Sequence, residues 1–86
     1  MEAPTFTRWL LQQRDRNDPV AHLARDVAND PEWPSRLWSL EGFREYMEDA
    51  GAIPRAIAAL EQAWSEYQAY KSRIESGTVV ETTLAA

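Results

Sequence analysis

Ile53-Pro54-Arg55-Ala56-Ile57-Ala58-Ala59-Leu60-Glu61-Gln62-Ala63-Trp64-Ser65-Glu66-Tyr67 is the stretch from which the architecture follows. Pro54 sits where a helix tolerates proline best, at its first position, because the missing N–H has no intrahelical partner there anyway. From that point Ile57, Leu60, Trp64 and Tyr67 recur at three- and four-residue spacing, which gives a helix one apolar face. The alanines at 56, 58, 59 and 63 favour helix and are small enough to let neighbouring helices come close. The pattern continues to Ile74 and stops at Gly77, a helix of about five to six turns.

Working outward, the same period appears three more times. Thr5 is a predicted N-cap for a helix over Phe6–Arg14, with Phe6, Trp9 and Leu10 on its inner face. Asp18-Pro19 starts a second helix, since the Asp oxygen caps free amides and proline fits the first turn. Its inner face is Val20, Leu23, Ala24, Val27 and Ala28, and the helix ends near Asp30-Pro31. Ser39 precedes a third, Leu40–Ala50, carrying Phe43, Tyr46 and Met47 inward, and Gly51 supplies a left-handed stop. Between helices two and three, Asp30-Pro31-Glu32-Trp33-Pro34-Ser35 has two prolines three residues apart and reads as an ordered connector. A helical turn over Ser35–Trp38 is expected to follow it. Trp33 and Trp38 read as lids over the core, with an exposed recognition anchor as the alternative. Gly42, in the first turn of helix three, is expected to let one of those two rings approach.

Eighty-six residues suffice for one domain, and four tryptophans, three tyrosines and two phenylalanines supply the bulk that so short a chain needs for a core. The expected class is therefore all-α, a compact bundle of four to five helices with a longer C-terminal helix. Residues 1–77 form the domain and residues 78–86 read as a flexible tail. The composition, 44% hydrophobic and 27% charged, is that of a globular chain. With no cysteine there is neither a disulfide nor a thiolate chemistry, and a reducing compartment, the cytoplasm, is expected. The first residues show no secretory pattern, and no apolar run is long enough for a membrane span.

The net charge of −5 disfavours nucleic acid as a partner, because phosphate binding depends on clustered Lys and Arg. The charge is also uneven. Residues 1–36 hold five arginines against six acids, and residues 37–86 hold four bases against eight acids. Glu41, Glu45, Glu48 and Asp49 share one side of helix three and read as a solvated or partner-docking face; nothing in the sequence encloses them as a metal or acid–base site. Arg8, Arg14, Arg16 and Arg25 form a possible basic rim, but Asp15, Asp18 and Asp26 lie among them, and local ion pairing is the plainer reading. His22, the one histidine, falls on the polar face of helix two with no second imidazole or thiolate to join it. Three glycines, none in a phosphate-cradling run, and the lack of any nucleophile-elbow context leave no catalytic, cofactor or metal residues to name.

The set Phe6-x-x-Trp9-Leu10, Arg14, Asp18-Pro19, Leu23-Ala24-x-Asp26, Asp30, Trp33-Pro34, Tyr46 and Ala63-Trp64-x-x-Tyr67 resembles the YozE-like family of small bacterial proteins. The resemblance implies a sterile-alpha-motif-like fold and no known activity, and it does not extend to residues 71–86. Sterile-alpha-motif folds often pair an acidic middle surface with the N-terminal end of their last helix. By that resemblance the interaction candidates are Glu41, Glu45, Glu48 and Asp49 on one side and Ile53, Pro54 and Arg55 on the other. The expected role is a non-catalytic protein-interaction module with a protein partner or a second copy. A nucleic-acid-associated role for the Arg8, Arg14, Arg16 and Arg25 rim is the alternative, and no small-molecule substrate is expected. The terminal Leu84-Ala85-Ala86 resembles the end of bacterial degradation tags, although three residues do not separate a turnover signal from an inert end.

Overall fold

A computed structural model of the chain describes residues 3–85, and side chains for residues 3–75. Among the described residues there are four helices and no strand: α1 (Phe6–Leu11), α2 (Pro19–Ala28), α3 (Leu40–Asp49) and α4 (Pro54–Ala85).

The helix starts are set by side-chain caps. Thr5 Oγ1 accepts from the Arg8 amide at 3.2 Å, Asp18 Oδ1 from the Ala21 amide at 3.0 Å, and Ser39 Oγ from the Gly42 amide at 3.2 Å. Each cap satisfies one of the four amides a helix start leaves open. At the end of α3, Gly51 has φ +85°. The Ala52 amide donates to Met47 O at 2.9 Å and the Gly51 amide to Glu48 O at 3.0 Å, the paired bonds of a Schellman stop.

α4 is the backbone of the assembly and packs against α1, α2 and α3. The core closes around Phe6, whose ring centroid lies 5.1 Å from those of Phe43 and Trp64 and 5.5 Å from that of Tyr67. Leu10, Val20, Phe43 and Leu60 are fully buried. The Tyr67 hydroxyl donates to Pro4 O at 2.7 Å and ties the N-terminal approach to the last helix.

Five expectations are corrected. α1 ends at Leu11 rather than Arg14, because the chain turns at Gln12–Asp15 and polar side chains take over the carbonyls: Gln13 Nε2 donates to Trp9 O and Arg14 Nε to Leu11 O, both at 2.9 Å. The connector makes turns rather than a helix over residues 35–38, through Ser35 N to Trp33 O (2.8 Å) and Leu37 N to Pro34 O (3.1 Å). The two tryptophans beside it part company. Trp33 is buried, stacked on Phe43 at 5.1 Å and 9° between planes, whereas Trp38 is 89% exposed. The neighbour of Gly42 is neither ring but Leu37, whose Cδ1 lies 3.1 Å from where a Cβ would be. α4 also runs through Gly77, where a stop was expected, to Ala85. In an established helix each further residue adds a hydrogen bond, and an interior glycine costs only about 1 kcal/mol. The flexible-tail reading of residues 78–86 and the Leu84-Ala85-Ala86 signal fall outside the described side chains.

Candidate functional site

Two adjoining hollows open beside the start of α4. The first, about 410 Å³, lies between the starts of α2 and α4. Leu23, Ala56 and Ala59 give it an apolar floor, and Asp18, Asp26 and Arg55 stand around it. The second, about 350 Å³, is bounded by Trp33 and Tyr46 and by the α3–α4 turn at Ala50, Gly51 and Ala52. Leu23, Asp26, Ile53 and Ala56 line both, so the two form one groove with a shared edge. Ile53 stands on that edge and is 62% exposed, a large aliphatic side chain that the core does not use.

The local sequence explains why Ile53 is outside. The Schellman stop reverses the chain after α3, and Pro54 must occupy the first turn of α4, so Ile53 is held at the helix entrance, where its carbonyl accepts from Ala56 and Ile57 at 2.9 and 3.2 Å. The first-turn amides of α4 add a partial positive charge beside the Arg55 guanidinium.

Tyr46 fixes the far wall of the groove. Its hydroxyl donates to Asp30 Oδ2 at 2.6 Å, and that bond to a carboxylate pushes the phenol up to about 12. Trp33 Nε1 donates to Thr7 Oγ1 at 2.9 Å in the interior, so the connector is tied to α1 as well as to α3.

Of the sequence-derived candidates, Ile53 and Arg55 line the groove, and Pro54 sets its helix entrance. Glu41, Glu45, Glu48 and Asp49 are exposed along α3, line neither hollow, and form no ion pair among the described residues. The acidic face and the groove are therefore separate surfaces. Among the described residues no cluster of three or more His, Asp or Glu is placed to hold a metal ion.

The arginine candidates are largely engaged within the fold. Arg16 bridges Asp18 at 2.6 Å and Glu66 at 2.7 Å, joining the α2 cap to α4. Its guanidinium is raised above its ordinary value, first by the bond to Glu66 and then by that to Asp18. Glu66 is held below the usual carboxylate range chiefly by Arg16, and Asp18 first by the Ala21 amide and next by Arg16. Arg25 donates to the carbonyls of Arg14 and Arg16 at 3.1 and 3.0 Å. Arg8 is exposed.

Sequence reasoning missed the contribution of α2 to the groove. His22 and Asp26 both line it, and their four-residue spacing on one side of the Asp18-Pro19 helix was the available signal. It also missed how far Trp38 projects, for which no local signal exists.

The comparisons with known proteins follow the same outline. The model of the YozE SAM-like fold family matches residues 5–69, from the α1 cap to the middle of α4. A UPF0346 protein of Streptococcus mutans serotype c (strain ATCC 700610 / UA159) is 32% identical over 68 residues, covering 77% of this chain and 96% of the relative. UPF0346 protein SpyM51485 of Streptococcus pyogenes serotype M5 (strain Manfredo) is 31% identical with the same coverage. No solved structure matches. No helix among the described residues is long and apolar enough to cross a membrane. Caps, aromatic core and matched segment agree, and the chain belongs to the YozE SAM-like fold family.

Proposed function

We propose that the chain is a cytoplasmic, non-catalytic protein-interaction module that binds through the groove at the start of α4. The observation that carries this reading is Ile53, 62% exposed on the edge shared by two apolar-floored hollows. A lone exposed aliphatic residue is ordinary, but one set over a concave apolar floor with charges around it has the anatomy of an interface centre. The acidic α3 face, Glu41, Glu45, Glu48 and Asp49, is the complementary surface, opposite in sign to Arg55 and to the α4 N-terminus.

The test is affinity capture from native lysate with the tagged full-length chain, wild type beside Ile53→Asp, with nuclease treatment and at two salt concentrations. A protein that survives nuclease and moderate salt and is lost with Ile53→Asp supports the groove. Recovery of nucleic acid alone, released steeply as salt rises, overturns it in favour of the Arg8, Arg14, Arg16 and Arg25 rim.

A further inference from the structure

The hollow bounded by Trp33 and Tyr46, about 350 Å³, differs in kind from its neighbour between α2 and α4. Its walls are aromatic and apolar: Val27 and Met47 line it beside the two rings, which meet edge to face at 5.5 Å and 87°. Its charges are all of one sign. Asp26 and Asp30 line it and, among the described residues, no Arg, Lys or His does, whereas Arg55 belongs to the neighbouring hollow alone. No cation of this chain answers either carboxylate, because the ion pairs among the described residues are those of Arg16 with Asp18 and Glu66 and of Arg44 with Glu61. Asp26 is exposed. Asp30 accepts from the Tyr46 hydroxyl at 2.6 Å and from the Glu32 amide at 2.9 Å, neutral donors that orient the carboxylate without cancelling its charge. Each of its oxygens keeps room for a second donor.

Uncompensated carboxylates beside an aromatic ring suit an organic cation. A guanidinium is drawn by the charge, stacks on a ring face and reaches a carboxylate with its planar fork, while its alkyl stem buries along apolar walls. A bare metal ion needs several oxygens gathered at one point, and among the described residues no group of three His, Asp or Glu provides them. The neighbouring hollow narrows the occupant further. Leu23, Ile53 and Ala56 line both hollows, so whatever enters the charged one continues onto an apolar floor. Two side chains that fill adjoining hollows must leave their own backbone side by side, as residues one helical turn apart do. The net charge of −5 favours the approach of a basic partner.

We propose that this hollow is the receptor for an arginine side chain of a partner protein, its guanidinium against the Tyr46 ring and the carboxylates of Asp26 and Asp30, with an aliphatic residue one helical turn away seated over the floor at Ile53. This rests on the α4-start groove being a binding surface and names the chemistry that enters it. The selecting charge is the negative one on the α2 side, so the partner sought is basic, unlike the acidic α3 face that complements Arg55.

Fluorescence anisotropy with the full-length chain is the test. The probe is a labelled, alanine-based helical peptide of about 15 residues with one leucine and, four residues on, one arginine; two further peptides carry Gln or Glu in place of that arginine. With protein from about 1 μM to about 1 mM, the Arg peptide should bind about fivefold or more tighter than the Gln peptide, and the Glu peptide weakest. Asp26→Asn should remove most of that preference. Because Asp26 is exposed, the substitution should leave the thermal midpoint unmoved, so a lost preference is not a lost fold. Glu45→Gln, on the separate α3 face, should leave the preference intact. Equal binding of the Arg and Gln peptides, or no binding of either, overturns the proposal. So does a preference that survives Asp26→Asn and Asp30→Asn together, or one that Glu45→Gln reduces as much as Asp26→Asn does, which is general attraction to an acidic protein. If the peptides bind alike and Ile53→Asp abolishes them all, the groove stands and only the arginine receptor falls. If Ile53→Asp leaves binding unchanged, the groove reading falls and takes this proposal with it.

Discussion

Replacing Trp33 by Phe tests whether one hydrogen bond ties the connector to α1. The indole stacks on Phe43 at 5.1 Å, meets Tyr46 edge-on at 5.5 Å, and donates through Nε1 to the buried Thr7 Oγ1 at 2.9 Å. Phenylalanine keeps a ring against Phe43 but removes part of the buried surface and the donor. Losing the smaller ring of the indole should cost about 1–2 kcal/mol of burial and packing, and orphaning the Thr7 hydroxyl should add about 1 kcal/mol. The sum, ~2–3 kcal/mol, is a large fraction of the roughly 4–13 kcal/mol expected for 86 residues. It corresponds to a fall in thermal midpoint of about 8–20 °C. Thr7→Val alone orphans the indole N–H and should cost about 1–2 kcal/mol. The double variant removes both partners, so it should fall short of the sum by about 1 kcal/mol. Urea melts of the four proteins, followed by circular dichroism, give the coupling directly. Additivity to within about 0.3–0.5 kcal/mol would refute the claim that this bond couples α1 to the connector.

Further outcomes follow from single sites. Gly51→Ala should destabilise by about 1–2 kcal/mol although nothing crowds its Cβ, because φ +85° is unfavourable for any L side chain; unchanged melts would contradict the Schellman stop. Glu66 and Asp18 both have carboxyls held below their ordinary values of 4.5 and 3.8, so their stabilisation is complete above those values and fades as pH falls through the lowered ones. Glu66→Gln should therefore flatten the acid limb of a stability–pH curve, and an unaltered limb would argue against the Arg16 bridge. Tyr46, raised to about 12 by Asp30, should ionise near that value in an ultraviolet titration, and its stabilising bond should be lost as pH rises from about 10 toward it. In an Asp30→Asn variant that titration should move back toward the ordinary phenol range.

Several parts of the fold were legible because their signals are local. A cap needs an oxygen a few residues from an amide, a proline needs a helix start, and a glycine with positive φ needs only its own backbone, so Thr5, Asp18, Ser39, Pro54 and Gly51 could be placed from sequence spacing alone. Helical period likewise put Phe6, Leu10, Phe43 and Leu60 inside. The candidate site was half visible. Ile53, Pro54 and Arg55 follow from the helix start, but the α2 side of the groove becomes a wall only when α2 packs on α4.

The rest was decided by contacts between residues far apart in the chain. Arg16 finds Glu66 fifty positions away, a pairing no spacing rule contains. Trp33 and Trp38 present the same residue type beside the same prolines, five positions apart, in a segment with no helical period to assign them a face. What separates them is that Thr7 and Phe43 meet at Trp33, whereas α3 turns inward one residue after Trp38 and leaves it in water. Sequence by itself determined that there are four helices, where each starts and most of the side chains it turns inward, because these depend on atoms within about one turn, whereas the ends of α1 and α4 and the exposure of Ala28 did not follow from it. Only the tertiary structure decided which tryptophan closes the core and which stays exposed, because that depends on where distant helices converge.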